Sequence, residues 1–187
     1  MKNRILKILD ESAAAKIETK KISGIIESIA QEFINCYKRG GKLIFAGNGG
    51  SAADCQHLVT ELVCRFEKDR KPFDAVALTT NTSLLTAISN DYDFNGVFRR
   101  QVESCAKQQD VLAVFSTSGN SKNITVAAEY AKSRGITVVG FTGISSGEME
   151  GFCDIIFKAP SDITARIQEV HITVGHIICK LIEDELF

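Results

Sequence analysis

The chain has 187 residues, 44% of them apolar and 24% charged, with two prolines and a formal net charge of −1. Those proportions exclude a disordered or fibrous protein, and the near-neutral charge excludes bulk polyanion binding as a main theme. A chain of this length buries roughly 70% of its unfolded surface as one ordinary domain, so a single domain over residues 1–187 is expected, with no nucleic-acid partner.

Residues 2 to 39 place Ile5, Ile8, Leu9, Ile22, Ile25, Ile26, Ile29, Phe33 and Ile34 at the three- and four-residue steps of amphipathic helices. Two helices, or one broken helix, therefore precede the first strand. From there the pattern alternates: strand 42–47, helix 51–66, strand 74–79, helical stretches 82–91 and 94–106, strand 110–117, helix 122–135, strand 136–143, a short Ser/Gly loop, strand 154–159, and a long helix from about 162. Strands that are apolar throughout and separated by helices predict an α/β fold, a mostly parallel sheet covered on both faces. In such sheets ligands bind beyond the carboxyl ends of the strands, near a switch point.

No apolar run reaches the roughly 18 residues of a membrane span, and MKNRILKILDES has no uninterrupted signal-peptide core. A cytoplasmic protein with no membrane partner is expected. Cys36, Cys55, Cys64, Cys105, Cys153 and Cys179 form no CxxC pair and mostly sit in apolar runs, which reads as buried free thiols in a reducing compartment. The charged run KDRK, 68–71, reads as a solvated loop.

Two loops stand at strand ends. GNGGSA, 47–52, follows a strand and opens a helix, the setting in which glycine lets backbone N–H groups approach an anion; a plain glycine turn is the alternative. It is neither a Walker loop, for no Gly-Lys-Ser/Thr follows, nor a full GxGxxG. STSGNSKN, 116–123, repeats the arrangement with the hydroxyls of Ser116, Thr117, Ser118 and Ser121 around Gly119. Helix N-capping is the alternative here, but two such loops in one sheet favour a phosphomonoester site.

His57 and Glu61 lie at i and i+4 on the first of these helices, with Cβ atoms about 5–6 Å apart. That spacing suits chelation of one metal or a base beside a ligand, although a lone His–Glu pair on a helix is usually a surface interaction. The last helix carries Gln168, His171 and His176 among apolar residues. Gln168 and His176 are eight residues apart, about 12 Å along the axis, and pattern alone reads both histidines as core or interface residues.

GNGGS, HxxxE, STSGNS and RIQEVHITVGH, in that order, resemble the sugar isomerase (SIS) family, and within it the phosphoheptose isomerases. The resemblance covers nearly the whole chain. It implies a five-stranded parallel sheet flanked by helices, a flavodoxin- or Rossmann-like three-layer sandwich, with residues 1–40 as a helical oligomerisation extension and 41–187 as the α/β core. It implies interconversion of sedoheptulose 7-phosphate and D-glycero-D-manno-heptose 7-phosphate, the entry to ADP-heptose for lipopolysaccharide.

By the same resemblance, Glu61 matches the family's base and His176 its partner acid. His57, Glu61, Gln168 and His176 match its ligands to one Zn²⁺ per subunit. Asn48, Gly49, Gly50, Ser51, Asn90, Asp91, Ser116, Thr117, Ser118, Ser121, Gln168 and Glu61 match substrate-binding positions, and Arg65, one turn beyond Glu61, is a surface residue or an oxygen contact. A homotetramer with active sites at subunit interfaces is implied, where last-helix residues would meet His57 and Glu61 across an interface. Ala165 stands where some members have an acidic residue. Relatives without isomerase activity, including a tetrameric factor that binds the replication initiator DnaA, lack the Glu61 and His176 equivalents; an isomerase for another phosphosugar is the remaining alternative.

Overall fold

A computed structural model describes residues 1–187. Helix α1 (Lys2–Thr19) passes through a 3-10 turn into α2 (Ser23–Lys38), so the expected break is a single turn, Lys20–Ile22. Strand β1 (Leu43–Gly47) leads to α3 (Gly50–Val63), and β2 (Ala75–Ala77) to α4 (Thr82–Asp91). Helix α5 (Val97–Cys105), strand β3 (Val111–Phe115), helix α6 (Lys122–Ser133), strands β4 (Thr137–Thr142) and β5 (Ile155–Lys158) and the long helix α7 (Thr164–Leu186) complete the chain.

All five strands run parallel in the order β2-β1-β3-β4-β5, with Leu43 level with Val111 and Gly47 level with Phe115. The chain steps from β1 to one side and then crosses to the other, which makes the gap between the carboxyl ends of β1 and β3 the switch point. Within each strand, alternate residues point to opposite faces. Phe45, Phe115, Phe141 and Phe157 pack under α2, α3 and α7, whereas Ile44, Leu112, Val114 and Val138 pack under α4, α5 and α6. Continuous burial of the strands follows from this double cover, which is why they read as unbroken apolar runs.

Two boundaries differ from expectation for local reasons. Helix α3 stops at Val63 rather than 66, because the N–H groups of Phe66, Glu67 and Lys68 donate to the Glu183 carboxylate instead of to helical carbonyls. The stretch expected as one helix over 94–106 begins as a 3-10 turn, Phe94–Gly96, because the Asp93 side chain accepts the N–H groups of Asn95 and Gly96.

Candidate active site

The two loops leave neighbouring strands side by side at the switch point. Helices α3 and α6 start there with no acidic residue in either first turn, so their unpaired N–H groups and positive dipole ends face an anion without competition. Asn48 and Asn123 exchange two amide hydrogen bonds of 2.9 Å each and tie one loop to the other. Ser51 and Ser116 are buried, and the Ser116 hydroxyl donates to Ser121 Oγ at 3.0 Å. Behind this loop, Gly119 takes φ +68° and sits so tightly against the Ser146–Gly147 backbone that a Cβ would overlap the Ser146 carbonyl. The Glu148 N–H donates to Asn120 Oδ1 and the Met149 N–H to the Gly119 carbonyl, so the following loop braces the serine loop.

Helices α3 and α7 pack side by side and parallel: Gln168 lies against Gly50, Leu58 against Gly175, and His176 beside His57 and Glu61. Leu58 sits so close to Gly175 that a Cβ there would be 2.5 Å from Leu58 Cδ2, which lets the helix axes approach. As a result His57 Nε2 is 2.9 Å from His176 Nε2 and 3.0 Å from Glu61 Oε1. One donor atom from each of these three residues falls within a 4.8 Å cluster. His57 is half exposed, and the Phe66 ring stacks on His176 with centroids 5.6 Å apart. Burial pushes the His176 pKa down and His57 adds to the shift, while Glu61 opposes it. Its imidazole is therefore neutral near pH 7, with a lone pair for a proton or a metal. Two imidazoles and a carboxylate are a donor set used by catalytic zinc, which keeps a further position open.

Asp54 escaped the sequence reading. It stands one turn before His57 on the same face of α3, and burial pushes its carboxyl up to about 6 against the opposing pull of His57. Its Oδ2 is buried without a partner. The i, i+3, i+7 spacing of Asp54, His57 and Glu61 was the available signal.

His176 meets His57 and Glu61 within one chain, so no interface is needed to bring them together. Gln168 stands about two turns before His176 along α7, with its amide against Gly50. Asn90 and Asp91 are exposed and paired with each other, Asn90 Nδ2 donating to Asp91 Oδ1 at 2.9 Å, and neither hydrogen-bonds to the serine loop. Arg65 and Ala165 are exposed. His171 is the core histidine of the pair: fully buried among Phe115, Phe141 and Phe157, its Nε2–H donates to the Thr142 carbonyl at 3.0 Å. Burial pushes its pKa down to about 4. All six thiols are free, but Cys64 is exposed and Cys105 and Cys153 only partly covered, because they stand at helix and loop ends. KDRK is not simply solvated, since the Arg70 side chain is 1% exposed.

The sequence profile of the SIS domain family matches residues 10–143. A phosphoheptose isomerase of Clostridium acetobutylicum is 49% identical over 190 residues, covering 100% of this chain and 97% of that protein. One of Burkholderia pseudomallei is 45% identical over 194 residues, covering 100% and 98%. This chain belongs to the SIS domain family, among its phosphoheptose isomerases. Solved phosphoheptose isomerase structures agree with the SIS fold throughout: that of Neisseria gonorrhoeae superposes with a TM-score of 0.93 at 39% identity and 98% coverage of both chains. That of Francisella tularensis gives 0.94 at 35% identity and 97% coverage. The N-terminal helices are thus shared with these two structures, and no helix of this chain is long and apolar enough to cross a membrane.

Proposed function

We propose that the chain is an aldose–ketose isomerase that interconverts sedoheptulose 7-phosphate and D-glycero-D-manno-heptose 7-phosphate, in the biosynthesis of nucleotide-activated heptose for surface glycans such as lipopolysaccharide. The observation that carries this reading is the convergence of His176, from α7, with His57 and Glu61 of α3, a helix that begins at a phosphate-type loop. Ser51 and His57 are six residues apart, about 9 Å along α3, so one extended phosphosugar spans from loop to cluster.

In this reading the N-termini of α3 and α6, with Ser51, Ser116, Thr117, Ser118 and Ser121, hold the phosphate. Gly49 and Gly50 let the first loop come close, and Asn48 serves by locking the two loops together. Glu61 takes a proton from C1 of the ketose and returns it to C2; its Oε1 contacts His57, and its second oxygen makes no hydrogen bond within the chain. His176 moves the remaining proton from O1 to O2. Positioned acid and base groups contribute typically about 10²–10⁴-fold each.

His57, Glu61 and His176, with Gln168 from the preceding turns of α7, would hold Zn²⁺, which when bound supplies Lewis-acid polarisation of the substrate carbonyl. Gln168, beside Gly50, is also assigned to the sugar between the phosphate loop and the metal cluster. A homotetramer assembled through residues 1–40 fits the exposed Ile5, Leu6, Ile8 and Leu9 of α1, and Asn90 and Asp91 are assigned to substrate length from a position that a neighbouring subunit would complete.

The test is turnover of sedoheptulose 7-phosphate by zinc-loaded protein in D₂O, with fructose 6-phosphate as the comparison. Heptose 7-phosphate carrying deuterium at C2 supports an enediol route through an exchanging base. Folded, metal-loaded protein that turns over neither sugar removes the isomerase reading.

A further inference from the structure

Arg70 and Glu183 form an ion pair of 2.8 Å in which each side chain is 1% exposed. Burying such a pair is unfavourable unless its remaining hydrogen-bonding capacity is met, and here it is met at the back of the site. Glu183 Oε1 accepts the Phe66 N–H at 2.9 Å and Arg70 Nε, while Oε2 accepts the N–H groups of Glu67 and Lys68 at 2.9 and 3.0 Å. Arg70 in turn donates to the carbonyl of Glu61 at 2.8 Å and to that of Leu62 at 2.8 Å, and its guanidinium lies 4.3 Å over the Phe73 ring. Burial pushes the Glu183 carboxyl up, but the three N–H donors and Arg70 outweigh it and draw its pKa down to about 2.

The geometry places this pair on both sides of the chemistry. One end grips the backbone of Glu61 itself. The other end holds Phe66, whose ring is stacked on His176. Glu183 is also two turns beyond His176 on the same face of α7, so one carboxylate links the helix carrying the acid to the helix carrying the base.

We infer that Arg70 and Glu183 are positioning residues that set the separation of Glu61 from His176, and with it the metal-binding and proton-transfer geometry. The inference rests on the isomerase reading of the cluster. Neither is a catalytic residue: Arg70 acts through Glu61, and Glu183 through Phe66 and the His176 ring stacked on it.

The test uses Glu183→Gln and Arg70→Lys in the full chain, with Asp110→Asn as the structural control. Asp110 pairs with Lys42 at 2.7 Å and is itself 2% exposed, but it lies at the opposite, amino end of the sheet. Zn²⁺ affinity is measured by chelator competition, and kcat and KM for sedoheptulose 7-phosphate are taken per folded molecule by circular dichroism. For Glu183→Gln and Arg70→Lys the expected results are kcat and Zn²⁺ affinity each lowered about 10–100-fold, the range for groups that orient a metal's ligands, with KM unchanged.

Asp110→Asn should lower thermal stability and leave both readouts at the wild-type level. If Glu183→Gln does not fold, Arg70→Lys and Phe66→Leu carry the same expectation. The inference is overturned if the folded variants keep wild-type kcat and Zn²⁺ affinity, or if Asp110→Asn loses as much. Absence of wild-type turnover would count against the isomerase reading alone, because Zn²⁺ affinity is read without turnover.

Discussion

Replacing Gly119 by alanine tests whether the serine loop is held in place by the segment behind it. Gly119 has φ +68°, and a Cβ there would overlap the Ser146 carbonyl and lie 2.8 Å from the Gly147 nitrogen. An L residue in left-handed backbone costs about 1–2 kcal/mol. Forcing a methyl group into a packed site adds typically about 1–3 kcal/mol, for a sum of about 2–5 kcal/mol. Gly40 is the comparison: φ is +76° and a Cβ would meet nothing within 4 Å, so only the backbone contribution applies.

For 187 residues the entropy of unfolding is about 0.4 kcal/mol/K. The expected fall in Tm is then about 5–13 °C for Gly119→Ala and about 3–5 °C for Gly40→Ala, read by scanning calorimetry. Because the displaced segment braces Ser116, Ser118 and Ser121, Gly119→Ala should also raise KM for the phosphosugar, and Gly40→Ala should not. Equal losses of Tm in the two variants, or an unchanged KM in Gly119→Ala, would refute the reasoning.

Glu61→Gln keeps the shape of the side chain and loses the base, so kcat should fall about 10²–10⁴-fold with KM largely retained; NMR-monitored turnover near the wild-type rate would remove Glu61 from the mechanism. Dialysis against a chelator should abolish turnover and added Zn²⁺ should restore it, whereas His57→Ala should remain inactive at the Zn²⁺ concentration that restores the wild type. His171 titrates near 4 when folded and 6.5 when unfolded, so the unfolded chain takes up the proton first: the stability it contributes is complete above pH 6.5 and is lost as pH falls towards 4. The difference corresponds to about 3 kcal/mol, and urea midpoints at pH 7 and pH 4 should lie closer together in His171→Gln, which keeps a donor for Thr142 and cannot become charged.

What was legible in the sequence was local. Unbroken apolar strands, glycine loops at their ends and the i, i+4 spacing of His57 and Glu61 are each written within about ten residues, and each stands where it was read. The meeting of His176 with that pair spans 119 residues. It follows from the parallel packing of α3 on α7, which periodicity does not encode and the resemblance put down to a subunit interface. The burial of Arg70 is not local either. A charged run is read as solvated because its charges are counted with their neighbours in sequence, yet the charge that matters to Arg70 is 113 residues away on another helix. Glu183 carried the missing signal: it follows Val174, Ile178 and Ile182 along the buried side of α7, a stripe on which an unpaired carboxylate is too unfavourable to persist. An acidic residue on an apolar stripe demands a cation or a set of N–H donors from elsewhere. Here the charged loop at 66–70 supplies both, at the back of the active site.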